Sequence, residues 1–159
     1  MTPPPSVLVL GIGNTLLSDE GAGVHAVRSL EAEQPPLEGV HYLDGGTLSF
    51  TLAGAIEDSE RLIVVDAAEL GTPPGTVRCF EGEDMDRFLG GNRKRSVHEV
   101  SLLDLLAVVL LAGRLPRYRA LVGIQPQLVD WGQDPTPPVR QAIPLACAQV
   151  RELIRRWRS

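Results

Sequence analysis

The chain has 159 residues, 43% hydrophobic and 22% charged, with a formal net charge of −5. That length and balance predict one soluble globular domain over residues 1–159, large enough to bury a substantial core. The acidic balance argues against general binding to nucleic acid or anionic membranes, and no apolar stretch is long enough for membrane insertion.

The N-terminal Met-Thr-Pro-Pro-Pro-Ser lacks a basic region, and the apolar run after it is too short for a signal peptide, so a cytoplasmic protein is expected. Cys79 and Cys147 have no CxxC spacing and read as reduced, buried thiols. The basic tip, Arg151 with Arg155-Arg156-Trp157-Arg158, suits a helix C-terminus, where cations complement the macrodipole.

In chain order, Ser6–Leu10 is an apolar strand running into Gly11. A helix is expected over Glu20–Glu33, with acids in its first turn and Pro35-Pro36 after it. Val40–Leu43 is a short strand closing at Asp44-Gly45-Gly46-Thr47, and Leu48–Asp58 a helix with Thr47 as its N-cap. Arg61–Ala67 contains Leu-Ile-Val-Val, the continuous apolar run of a strand buried on both faces, and reaches Asp66 near its end.

Gly75–Phe80 follows a Pro73-Pro74-Gly75 turn and reads as a strand. Residues 81–95 are polar and glycine-bearing, which predicts a surface loop with at most a helical turn. Val100–Leu111 is apolar around most of its circumference and reads as a well-buried helix. Arg119–Ile124 is a last strand, broken by Gln125-Pro126. A proline-bearing loop over Gln127–Pro138 then leads to a C-terminal helix ending near Trp157.

Strands alternating with helices predict an α/β fold, a three-layer α/β/α arrangement with a mostly parallel, about five-stranded twisted sheet. Ligands of such sheets bind outside the carboxyl ends of the strands. Those ends carry Asn14, Asp19 and Glu20, then Asp44 to Thr47, then Asp66 and Gln125.

The Gly11-x-Gly13 loop followed by Asp44 imitates a dinucleotide-binding unit. The imitation fails because Leu16 occupies the third glycine position and two carboxylates sit at the helix start, where a pyrophosphate needs positive potential. A metal site suits the residues better. Carboxylates at a helix start are ordinarily caps, but Asp66 leaves a buried strand at the edge where Glu20 lies. His98 precedes an apolar helix, whereas His25 and His41 read as structural or exposed. Glu20, Asp66 and His98 would make a two-carboxylate, one-imidazole set suited to a borderline divalent transition metal, without naming one. No Gly-x-Ser-x-Gly elbow, His-Glu-x-x-His or P-loop is present, and nothing brings a cysteine to His98.

The stretch Gly11-x-Gly13-Asn14-x-Leu16-x-x-Asp19-Glu20-Gly21-x-Gly23-Val24 resembles the signature of the nickel–iron hydrogenase maturation endopeptidases. Asp44-Gly-Gly-Thr47, Val64-Val-Asp-Ala67, Ser96-x-His98 and Val122-Gly-Ile-Gln-Pro126 follow in family order, so the similarity covers nearly the whole chain. The resemblance implies a protease that removes the C-terminal extension of a hydrogenase large-subunit precursor once nickel is installed. It maps the family's metal-contacting positions onto Glu20, Asp66 and His98. Nickel would arrive with the substrate rather than reside in the enzyme.

Asp66 is the first choice for a direct catalytic role, with Asp19 second. The loop residues Gly11, Gly13, Asn14, Asp19, Gly21, Gly45, Gly46 and Thr47 are assigned to receiving the substrate chain. Arg93, Lys94, Arg95, Arg117 and Arg119 are either steering charges for an acidic partner or ordinary solvated cations. The rival readings are a non-cleaving nickel-dependent chaperone for the precursor and a same-fold peptidase with another substrate.

Overall fold

The computed structural model describes residues 3–46, 50–92 and 97–159, with backbone alone for residues 92 and 97–101. Five strands, β1 (Val7–Ile12), β2 (Val40–Gly46), β3 (Arg61–Ala67), β4 (Val77–Glu81) and β5 (Tyr118–Ile124), form one sheet ordered β2-β1-β3-β5-β4. All neighbours are parallel except β4, which runs antiparallel to β5. The 68–76 connection between β3 and β4 contains no helix, so β4 returns directly at the sheet edge.

Alternation along the strands separates two cores. Val7, Val9, Ile63, Val65 and Val122 face α1 (Ala22–Glu31) and α5 (Pro137–Arg158). Leu8, Leu10, Leu62, Val64 and Leu121 face α2 (Ala53–Glu57), α3 (Glu83–Asn92) and α4 (Val97–Leu111). The result is the expected three-layer α/β/α fold. Its crevice lies where β1 connects to β2 on one side and β3 takes the other, between the carboxyl ends of β1 and β3.

Four sequence expectations change. Residues 83–92 form α3 rather than a surface loop: Met85 and Leu89 recur four apart and are fully buried, with Phe88 packed beside them, a stripe masked by the surrounding acids and glycines. The helix at Glu20 begins as a 3-10 turn, Ser18–Gly21, and becomes α-helical only at Ala22. In α4, Leu102, Leu105, Leu106 and Val109 are buried, but Val108, Leu110 and Leu111 are exposed, so it is covered on one face rather than all round. The helix expected over Leu48–Asp58 is shorter, a 3-10 turn at Phe50–Leu52 leading into α2. Its proposed cap, Thr47, and the basic run Arg93–Arg95 lie outside the described residues.

The basic C-terminal tip is held by carboxylates: Arg155 pairs with Glu152, Arg156 with Glu81 and Arg151 with Glu33. Arg119 is not a free steering charge. It makes a two-pronged contact with Asp86 at 3.1 and 2.5 Å, tying β5 to α3. Arg117 is exposed.

Candidate active site

The site is built by glycines at which backbone meets backbone. At Gly13 (φ 133°) the chain leaves β1, and a Cβ there would lie 1.9 Å from the carbonyl oxygen of Glu20. At Gly23 a Cβ would stand 2.0 Å from the Val65 carbonyl oxygen and 2.7 Å from that of Ile12. Gly11 leaves room for the Gly23 carbonyl oxygen, and Gly21 for the backbone of Thr15. These glycines seat the 3-10 turn and the first turn of α1 directly on β1 and β3. Gly23 rides on Val65, so the turn bearing Glu20 is set beside the end of β3, where Asp66 follows.

Asp66 lies opposite Gly123 in the β3–β5 register and is 2% exposed. Alternation puts it on the face of β3 shared with Leu62 and Val64, the face covered by α4. The C-terminus of α4 feeds the start of β5 through residues 112–117, so its first turn, which contains His98, lies at the opposite end, over the carboxyl edge of the sheet. The topology therefore brings Glu20, Asp66 and the backbone of His98 to the carboxyl edge of the sheet, with the Glu20 turn leading into α1 on one face and α4 covering Asp66 on the other. Among the described residues no trio of His, Cys, Asp and Glu side chains forms a metal-holding cluster, and the His98 side chain is not among them.

Asp19 has a different occupation from its neighbour. It is fully buried, and its carboxylate accepts hydrogen bonds from the backbone N–H of Gln127 (2.8 Å), Leu128 (2.9 Å) and Thr136 (2.7 Å) and from the Thr136 hydroxyl (2.8 Å). Burial alone would raise its pKa, but these bonds to the charged form outweigh it and hold the carboxyl below its ordinary value. Asp19 is a clamp between the glycine loop and the segment preceding α5. Thr136, the N-cap residue of α5, gives its hydroxyl to Asp19 instead of capping its own helix.

The sequence marks Gln127–Pro138 as a loop but not its attachment to Asp19. The Leu17–Gly132 bridge, the Ser18 N–H to Gly132 oxygen bond (2.7 Å) and the Ser18 hydroxyl to Asp130 oxygen bond (2.9 Å) complete it. The only signal available was Thr136-Pro137, a cap-plus-proline helix start.

A cleft of about 290 Å³ opens beside the turn, lined by Gly13, Asn14, Thr15, Val24, Asp44 and Gly46. Asp44 pairs with Arg28 at 3.0 Å and accepts the Gly46 N–H at 2.9 Å, which fixes that wall. Asn14 closes an Asx turn on the Leu16 N–H at 2.9 Å. Gly46 (φ 52°) would meet no atom nearer than 3.9 Å, so its surface is open, whereas Gly45 is filled against Leu10. At the far side, Gln125 is 5% exposed and is bonded to Leu70 and Glu69, a strut rather than an open group.

The remaining nucleophiles and bases have structural surroundings. Burial pushes the Cys79 thiol up to about 11 and raises Cys147 as well, so both stay protonated and unreactive at neutral pH. His25 is half-buried on α1, where burial and then Arg28 lower its pKa against the pull of Asp134.

A sequence profile described as hydrogenase maturation protease matches residues 24–153. The hydrogenase expression/formation protein HupD of Rhizobium leguminosarum is 38% identical over 156 residues, covering 98% of this chain and 77% of that protein. The hydrogenase 2 maturation protease of Escherichia coli is 34% identical, covering 94% of this chain and 90% of its own. In three dimensions the chain superposes on the hydrogenase maturating endopeptidase HybD from E. coli with a TM-score of 0.89 and 34% identity, over 95% of this chain and 93% of that one. The [NiFe] hydrogenase maturation protease HybD from Thermococcus kodakarensis gives 0.77 and 30%, over 94% and 99%. Profile, sequence relatives and superposition agree over nearly the full length, and the chain belongs to the hydrogenase maturation protease family of endopeptidases.

Proposed function

We propose that this endopeptidase removes the C-terminal extension of the nickel-loaded large-subunit precursor of a nickel–iron hydrogenase, acting in the cytoplasm on nickel carried by the substrate. The observation that carries the reading is the seating of Gly23 on Val65, which sets the Glu20 turn beside the buried Asp66 at the carboxyl edge of the sheet.

Glu20, Asp66 and His98 grip the substrate-borne nickel and so place the scissile peptide next to it. Two oxygen donors and one imidazole, with positions left for the substrate's own ligands, suit a metal held only during recognition. The peptide carbonyl is then polarised, or water activated, by the metal or by the Asp66 carboxylate. The cleft beside Gly13, Asn14 and Gly46 receives the extended substrate chain.

The test is mass spectrometry of the precursor's C-terminus after incubation with the protein. Nickel-loaded precursor should lose its extension and apo-precursor should not. Equal cutting of both forms would refute recognition through nickel. An intact C-terminus on the loaded form, with tight binding, would make the chain a non-cleaving chaperone. Purified protein should also hold no stoichiometric nickel, since it waits for nickel that arrives with the substrate.

A further inference from the structure

Among the described residues eleven large hydrophobic side chains are exposed, and four of them, Leu16 (50%), Leu128 (47%), Val129 (55%) and Trp131 (78%), lie on the two segments that Asp19 joins. These segments are cross-linked through the backbone. Gly132 donates to the Leu16 oxygen at 2.9 Å, Ser18 to the Gly132 oxygen at 2.7 Å and Asp19 to the Leu128 oxygen at 3.2 Å. The Ser18 hydroxyl holds the Asp130 oxygen, and the Asp19 carboxylate holds both Gln127 and Leu128. Ser18 itself adopts φ 52°, the left-handed region that favours glycine, and a Cβ on Gly132 would stand 2.7 Å from its hydroxyl.

A freely moving loop would fold a tryptophan and three aliphatic side chains inward. Here a buried carboxylate and a ladder of hydrogen bonds hold their backbone at the surface. Several exposed apolar groups gathered on two cross-linked, rigidly held segments are the signature of a docking surface.

We infer that Leu16, Leu128, Val129 and Trp131 form an apolar shelf that docks the folded body of the precursor, separately from the cleft that takes its C-terminal chain. The inference rests on the function proposed above. Its occupant is chosen by continuity: Asp19, which pins the shelf, is followed directly by Glu20 in the same 3-10 turn. A body seated on the shelf is thereby registered against the metal-gripping turn. Exposed carboxylates at Asp130 and Asp134 edge the shelf, so the complementary surface is apolar with a basic rim. A second copy of this chain seated there would compete with substrate for the turn that carries Glu20.

The two tryptophans make the shelf readable, because Trp131 is 78% exposed and Trp157 only 9%. In a Trp157→Phe background, addition of nickel-loaded precursor should shift Trp131 emission to the blue. Trp131→Ala and Val129→Ser should raise KM for processing by about tenfold while leaving kcat unchanged, with native circular dichroism and thermal midpoint. Glu20→Gln should abolish cutting yet preserve the emission shift, which separates docking from chemistry.

An unchanged KM in both shelf variants, with no emission change while the wild type still cuts, overturns the shelf. So does a wild-type dimer that Trp131→Ala converts to monomer without altering processing. Failure of the wild type to cut any loaded precursor would instead overturn the proposed function.

Discussion

Asp19 and Thr136, far apart in sequence, are bonded twice: one carboxylate oxygen takes the threonine N–H at 2.7 Å and the other its hydroxyl at 2.8 Å. The first residue belongs to the loop after β1 and the second to the start of α5, so the contact closes the chain over the carboxyl edge of the sheet. Of two adjacent acids in one 3-10 turn, Asp19 is fully buried and holds the scaffold, whereas Glu20 is half-buried beside the end of β3. That division of labour removes Asp19 from the list of open catalytic groups.

Asp19→Ala would leave three backbone N–H groups and a hydroxyl without their acceptor. Each buried donor so stranded costs about 1–3 kcal/mol unless water reaches it. A loss of at least about 3 kcal/mol is expected, read as a lower urea midpoint, with Asp19→Asn intermediate because one amide oxygen can still accept. An unchanged midpoint in the alanine variant would show that water replaces the clamp without loss.

The same carboxylate gives an acid-sensitive contribution with a definite sign. Its folded-state pKa lies below the ordinary 3.8, so the stabilisation is fully present above that value and is lost as pH falls through the folded pKa. Thermal midpoints measured between pH 7 and pH 2.5 should fall more steeply for the wild type than for Asp19→Asn at the acid end, the two curves converging there. Parallel curves would mean that other carboxylates set the acid limit.

Gly23→Ala tests the seating of the turn. The new methyl group would meet two backbone oxygens, at 2.0 and 2.7 Å, neither of which can rotate away. Overpacking of this kind costs about 1–3 kcal/mol or more and must be relieved by lifting α1. Because Glu20 lies in the turn just before α1, processing should fall by at least about tenfold even where the protein remains folded, since small misplacements of reacting groups are expensive. By contrast, Gly54→Ala, where nothing lies within 4 Å, should be neutral or stabilising.

Much of the fold was legible because its signals are local. Leu62 to Val65 is an uninterrupted apolar run, and the structure buries it on both faces in β3, the middle strand of the sheet. Asp66 and Glu20 could be picked out because the strand-end rule selects them without knowledge of packing. Met85, Phe88 and Leu89 carried the same kind of periodic signal, but acids and two glycines diluted it, and α3 went unread. The Asp19–Thr136 clamp had no sequence signal strong enough to find, since a hydrogen bond between distant loops depends on where the sheet brings them. The glycines were visible as a cluster but their purpose was not. Most of them admit the protein's own helix and strand backbones, whereas Gly13 and Gly46 also line the cleft.

Arg119 supplies a final test, of whether basic residues steer the partner. Its guanidinium contacts Asp86 through two nitrogens, its side chain is 12% exposed, and Asp86, with Glu83, raises its pKa against the opposing effect of burial. A two-pronged pair on a half-buried seam fixes geometry as well as charge, and lysine cannot reproduce it. Arg119→Lys should therefore lower stability by about 1.5 kcal/mol, the lower end of the range for a charge-assisted hydrogen bond. Its effect on processing should vanish once rates are compared at equal folded fraction, and the salt dependence of processing should match the wild type. Arg117→Ala, which removes an exposed cation, should leave stability unchanged and flatten the salt dependence if this end of the sheet attracts an acidic partner. A flattened salt response in the Arg119 variant, without loss of stability, would return that residue to the steering role the structure denies it.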